Sequence, residues 1–156
     1  MSDVSEGQKS LLKQRISEDM KSAMKERQQQ RLNVIRLILA ALKQLEVDER
    51  IELSDERIIA TLDKMVKQRR ESITQYTAGG RDDLVKQESF EIDVISNYLP
   101  QPLSEAQIDE LVSAAITEAQ ATSMQDMGKV MNALKPLIQG RADAALVSKK
   151  VKDHLA

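Results

Sequence analysis

A chain of 156 residues suits one ordinary domain or two small helical modules. With 41% hydrophobic and 31% charged residues it is neither disordered nor fibrous, and its net charge of −2 argues against a strongly basic nucleic-acid binder. The absence of cysteine removes disulfides, thiolate catalysis and cysteine-ligated zinc.

Aromatic side chains are confined to Tyr76, Phe90 and Tyr98, so a core has to be built from Leu, Ile, Val, Ala and Met. That is the usual stock of a helix bundle. Residues 1–9 read as a flexible tail, without the basic start and apolar stretch of a secretory signal. The longest apolar run, Leu37 to Leu42, is too short to cross a bilayer. These features predict a cytoplasmic protein with no membrane attachment.

A first helix is predicted from about Ser10 to Glu26, with Leu12, Ile16, Met20 and Ala23 at helical spacing. The polar stretch Arg27–Gln30 marks a turn or a solvated continuation. The second helix, roughly Arg31 to Glu49, is apolar over about half its circumference and belongs at a bundle centre. Ser54 caps a third, with Asp55 and Glu56 in its electropositive first turn and Leu53 and Ile58 as a hydrophobic staple. Gly79-Gly80 stops it.

The fourth helix, about Asp83 to Leu99, carries two apolar stripes. Leu84, Val85, Ile92, Ile95 and Leu99 form one; Phe90, Val94 and Tyr98 form another. The second stripe needs a cover of its own, either the C-terminal module or a second copy of the chain.

Pro100 and Pro102 break the helical pattern and divide an N-terminal bundle, residues 10–99, from a three-helix tail module, residues 100–156. A capping box (Ser104, Gln107) and a staple (Leu103, Ile108) start the fifth helix. Ser123 caps a sixth, with Met124, Met127, Val130, Met131, Leu134 and Ile138 inward; Pro136 kinks or loosens its end. Asp143 caps the last, with Val147, Val151 and Leu155 inward. No segment has strand period, so the fold class is all-α.

Catalytic chemistry finds no matching set of residues. His154, the only histidine, sits near the chain end, where a helix-end histidine is favourable against the dipole. There is no Glu-x-x-His pair for a helical metal site and no phosphate-loop motif, so no catalytic residue, metal or cofactor is expected. Arg69 falls on its helix's apolar stripe and should reach the surface or pair with Glu88 or Glu91.

Charge is unevenly placed. Between Leu99 and Asp126 there are five acidic residues and no Lys or Arg, whereas residues 127–156 hold six basic residues against two acidic ones. On the sixth helix Gly128, Asn132, Lys135 and Gln139 share a polar face, with Lys129 at its flank. A glycine inside a helix costs about 1 kcal/mol against alanine, and close approach of another helix or of a phosphate backbone would each account for it. Lys149 and Lys152 lie opposite the apolar stripe of the last helix.

Several segments in order carry a resemblance: Arg31-Leu32 with Ile35-Arg36, Lys67-Gln68-Arg69-Arg70, Glu91-Ile92 through Asn97-Tyr98-Leu99-Pro100, Leu103-Ser104, Met127-Gly128-Lys129-Val130-Met131, Gly140-Arg141-Ala142-Asp143, Val147-Ser148 and Val151-Lys152. From Ser10 onward the chain resembles the YqeY family, whose domain also forms the C-terminal part of one component of the glutamine-dependent aminoacyl-tRNA amidotransferase. The resemblance implies a helical bundle followed by a small helical tail associated with tRNA. It also implies a carbon–nitrogen ligase label with glutamine as amido-nitrogen donor, although the residues for that reaction lie in other parts of such an enzyme. The expected function is a non-catalytic accessory module for tRNA or another structured RNA, with Gly128, Lys129, Asn132, Lys135, Lys149 and Lys152 as contacts. Two other readings stand beside it: a protein-interaction adaptor using Phe90, Val94 and Tyr98, and an accessory component of an amide-transfer complex.

Overall fold

Ser10 begins the first helix through its side chain, its hydroxyl accepting the Lys13 N–H at 2.9 Å and donating to the Asp55 carboxylate. In the computed structural model, which describes residues 10–156, seven α-helices follow and no strand occurs among the described residues. They are α1 (Leu11–Lys25), α2 (Gln29–Glu49), α3 (Asp55–Ala78), α4 (Asp82–Ser96), α5 (Glu105–Ala119), α6 (Met127–Ile138) and α7 (Ala144–Leu155), with a 3-10 turn at Met124–Asp126. The tail expected at residues 1–9 lies outside the described residues. The chain is all-α and forms two compact units, one ending at Leu99 and one spanning Pro100–Ala156, each with its own core.

In the first unit α2 buries Leu32, Val34, Ile35, Ile38 and Leu42, and α3 adds Ile58, Leu62, Met65 and Val66. The Ser54 cap and its staple form as the spacing dictates, with Leu53 and Ile58 both buried. Gly80 takes a φ of +71° just beyond α3, a conformation open to glycine at no steric cost. At the end of α2 the left-handed position falls instead to Arg50, with a φ of +57°.

Helix α4 corrects the expectation of two stripes. Its buried face is Glu91, Val94 and Ile95, a band that Tyr98 continues just beyond the helix end, and Val94 and Tyr98 belong to the same core as α2 and α3. Phe90 is half-buried against that core, so the supposed interaction stripe faces its own bundle and offers no free surface. The physical cause is Glu91. A carboxylate in the middle of the band splits it on an apolar count, yet it is accommodated because Arg69 Nη2 donates to its Oε1 at 3.2 Å and Gln87 Nε2 to its Oε2 at 3.5 Å.

In the second unit α5, α6 and α7 pack mutually around Ile108, Val112, Val130, Leu134, Val147 and Val151. Ser104 and Gln107 exchange side chain and backbone hydrogen bonds at 3.1 and 2.9 Å, completing the capping box. Met124 is largely exposed rather than inward, because α6 proper starts only at Met127. The Leu103 N–H donates to the Arg141 carbonyl at 2.8 Å and Arg141 Nε to the Gln101 carbonyl at 3.0 Å. These two bonds tie the start of the unit to its α6–α7 turn.

Candidate nucleic-acid interface

Residues 127–156 carry six basic side chains, and the fold commits two of them to the unit itself. Lys150 Nζ reaches Asp109 at 2.7 Å and Glu105 at 3.3 Å on α5, and these carboxylates hold its ammonium pKa above the ordinary lysine value. Arg141 is engaged by the Gln101 carbonyl. Lys129, Lys135, Lys149 and Lys152 remain exposed and, among the described residues, close no ion pair.

Helix geometry sorts these four. Lys129 sits on the flank of α6 that faces α5, where it lines a shallow groove of about 280 Å³ with Leu111, Ala114, Ala115, Glu118, Ala119, Ala133 and Leu137. Its Nζ donates to the Ala119 carbonyl at 3.3 Å. Lys135 lies about 120° around the helix, on the other flank, with Gly128 and Asn132 beside it on the wheel. Since α5 occupies the Lys129 side, that other flank borders α7.

On α7 the pairing of Lys150 with α5 fixes the side facing α5, so Lys152 falls on the side facing α6 and Lys149 points outward. A five-residue connection, residues 139–143, joins two helices that pack together, which makes them antiparallel. Gly128, at the start of α6, therefore lies at the end of the unit where Lys152 sits. Gly128, Asn132 and Lys135 thus share the side of α6 away from Lys129, Lys152 lies on the side of α7 that faces α6, Lys149 points outward, and Lys129 stands apart in the groove.

Gly128 has no structural neighbour to explain it. A Cβ built there meets nothing within 4 Å, so close helix packing is not the reason for the glycine. Pro136 adds a second local feature: lacking an N–H, it cannot donate to the Asn132 carbonyl one turn earlier. The combination of exposed ammonium groups and an uncrowded backbone at Gly128 suits the approach of a phosphodiester chain. No aromatic side chain lies in this unit, so base stacking is not available to it.

Chemistry of other kinds finds little support in the arrangement. No group of three or more His, Cys, Asp or Glu residues among the described ones converges as a metal site. No helix among the described residues is long and apolar enough to cross a membrane. Arg69 is the buried cation that the sequence pattern singles out, and it does pair with Glu91. Its Nη1 also donates to the Met65 carbonyl at 3.2 Å, and its Nε is buried without a partner. The Asp19–Tyr98 contact has no signal in the sequence, because the two residues lie 79 positions apart along the chain and nothing local pairs them.

Comparison with known proteins adds relatives from fungi. A protein of Pyrenophora tritici-repentis is 31% identical over 142 residues, covering 89% of this chain and 78% of that protein. A protein of Lachancea thermotolerans is 39% identical over 106 residues, 66% of this chain and 57% of that protein. One from Saccharomyces cerevisiae is 36% identical over 97 residues, 60% of this chain. The chain thus spans little more than half the length of the latter two, at 57% and 52%. All three are named "Altered inheritance of mitochondria protein 41, mitochondrial".

Those names overturn the cytoplasmic expectation and point to mitochondria instead. The features behind the expectation bear on secretion and membrane insertion, and they do not discriminate cytoplasm from mitochondrion. The match to the family described as Yqey-like protein runs over residues 13–155, from the first turn of α1 to the end of α7 and across both units. On that span the chain belongs to the YqeY-like protein family.

Proposed function

We propose that the protein is an RNA-associated accessory module that grips the phosphate backbone of a structured RNA of the tRNA class along the α6–α7 seam. The observation that carries this reading is Gly128: a helix-weakening residue with open space before it, on the same flank of α6 as the exposed Lys135 and at the end of the unit where Lys152 is exposed on α7. Lysines draw the backbone in, and the missing side chain lets it come close. With few phosphate contacts and no stacking platform, binding is modest in affinity, falls steeply with salt and shows little sequence preference. The chemistry served is carried out by other proteins; amide transfer onto aminoacyl-tRNA is the reaction that the family resemblance supplies.

The test is titration of tRNA into the full chain at low and at physiological salt, with Lys135→Ala/Lys152→Ala and Lys129→Ala variants. The seam reading expects the double variant to lose most of the low-salt affinity and Lys129→Ala to lose little. Absence of low-salt binding by the wild type, or equal affinity for all three proteins, overturns it.

A further inference from the structure

Asn132 stands in the middle of α6, exposed to solvent, and among the described residues its side-chain amide makes no hydrogen bond. Asparagine is a poor helix former, because its amide competes for backbone groups outside the helix. In α2 the same residue type offsets part of that cost: Gln29 Nε2 donates to Asn33 Oδ1 at 2.9 Å, one turn along the helix. Asn132 has no such partner. The positions four before and four after it are Gly128 and Pro136, and neither offers a polar side chain.

The residue shares its flank with two others on which the RNA reading draws. At about 100° per residue Gly128, Asn132 and Lys135 fall within about 60° of one another and form a short line along α6. Asn132 is about 6 Å along the axis from Gly128 and about 4.5 Å from Lys135. All three are exposed, and a Cβ at Gly128 would meet nothing within 4 Å. A strand held by the Lys135 ammonium and admitted at Gly128 has to pass the Asn132 amide between them. The two side chains differ in what they can bind. An ammonium only donates and suits a phosphate oxygen, whereas an amide both donates and accepts, as a hydroxyl does.

We infer that Asn132 hydrogen-bonds a ribose 2′-hydroxyl of the strand lying along α6, and so makes this flank selective for RNA over a backbone that lacks the group. The inference rests on the RNA reading above and assigns within it the residue that sets selectivity. Attraction of lysine to phosphate is indifferent to the sugar. The 2′-hydroxyl is the group by which a protein tells RNA from DNA at a given site. One hydrogen bond between neutral groups, net of the water it replaces, changes affinity about fivefold. Selectivity is therefore modest and sits on one residue, while overall affinity sits on the lysines.

The probes are two synthetic strands of one tRNA sequence, one of RNA and one with fluorine in place of every 2′-hydroxyl. Fluorine keeps the A-form shape and removes the donor, so shape and hydroxyl are tested apart. Each is titrated at low salt against the full chain and its Asn132→Ala and Lys135→Ala variants. The wild type is expected to bind RNA about fivefold tighter than the fluorinated strand. Asn132→Ala should bind the two strands alike, its RNA affinity lowered about fivefold and its affinity for the fluorinated strand unchanged. Lys135→Ala should weaken both and keep the wild-type ratio. The unfolding midpoint of Asn132→Ala should equal or exceed that of the wild type, since alanine is the better helix former. Equal binding of the two strands by the wild type, or a wild-type ratio in Asn132→Ala, overturns the inference and leaves RNA binding standing. Failure of the wild type to bind either strand overturns the RNA reading and this inference with it.

Discussion

The Tyr98 hydroxyl donates to the Asp19 carboxylate at 2.6 Å and so fastens the chain just beyond α4 to the middle of α1. Arg31 stands 3.7 Å from the same carboxylate, and the Arg15 guanidinium lies over the Tyr98 ring at 5.1 Å while Nη2 caps the Asn97 carbonyl at 3.1 Å. Ring, carboxylate and two guanidiniums thus close the end of the first unit that leads into Pro100.

Tyr98→Phe keeps the ring and its cation contact and removes only the hydroxyl. Loss of a hydrogen bond to a charged acceptor is expected to cost about 1.5–3 kcal/mol in denaturant unfolding. Burial, and then the bond to Asp19, push the Tyr98 pKa well above the ordinary phenol value. The folded state therefore holds this proton where the unfolded state has lost it. That contribution is present below the ordinary phenol pKa and fades as pH rises through and beyond it. Wild-type stability should decline on the alkaline side more steeply than that of Tyr98→Phe; parallel pH profiles would discount the linkage.

Arg69 and Glu91 make an ion pair whose side chains are only 15% and 10% exposed. Removing one partner leaves a charge without compensation in the core. Arg69→Met is expected to cost about 3–5 kcal/mol, whereas Arg69→Met/Glu91→Leu should come close to wild type. The orphaned Arg69 Nε, which the double variant also removes, tips the balance further that way. A thermodynamic cycle over the four proteins measures the coupling, and additive losses would contradict it.

How much of this was legible in advance depended on how local the physics was. The helix starts at Ser10, Ser54, Ser104 and Asp143 rest on side chains within three residues of the cap, and all four appear as the sequence indicates. The all-α class follows from the same short-range patterns. The buried face of α4 did not emerge, because its centre is Glu91 and only Arg69 on another helix makes that acceptable. The lysines of the tail could be named but not sorted. Which of them face solvent together depends on Lys150 being held by α5 and on Lys129 lying in the α5–α6 groove. A packing role for Gly128 was equally open, because only the open space around it in the folded unit separates that role from a binding one.

Glu88 provides an acid-side counterpart to Tyr98. Burial raises its pKa, and the nearby Glu91 charge raises it further, against a smaller opposing effect of Arg69. The folded state binds this proton more tightly than the unfolded chain, so the group favours folding at low pH and opposes it once ionised. Stability from this residue should fall as pH rises from the ordinary glutamate range through the raised folded value. Glu88→Gln is expected to equal or exceed wild type at neutral pH, with the gap closing or reversing in acid. Urea midpoints in mildly acidic and in neutral buffer check it, and a variant less stable than wild type at neutral pH contradicts the sign.

Gly128→Ala separates stability from binding in a single substitution. The residue sits in the first turn of α6 and is not among the glycines with positive φ, so alanine fits its backbone. The added methyl group meets no neighbour within 4 Å and so carries no steric cost. Alanine should therefore stabilise the second unit by about 0.5–1 kcal/mol through helix propensity and reduced freedom of the unfolded chain. If the glycine is there to admit a phosphate backbone, the same methyl holds the RNA away from the seam. Affinity for tRNA at low salt should then drop although the fold is firmer and no charge has changed. Two readings on one protein, the unfolding midpoint and the tRNA titration, must move in opposite directions. A stabilised variant that binds tRNA as tightly as wild type removes Gly128 from the interface and leaves the lysines alone to account for it.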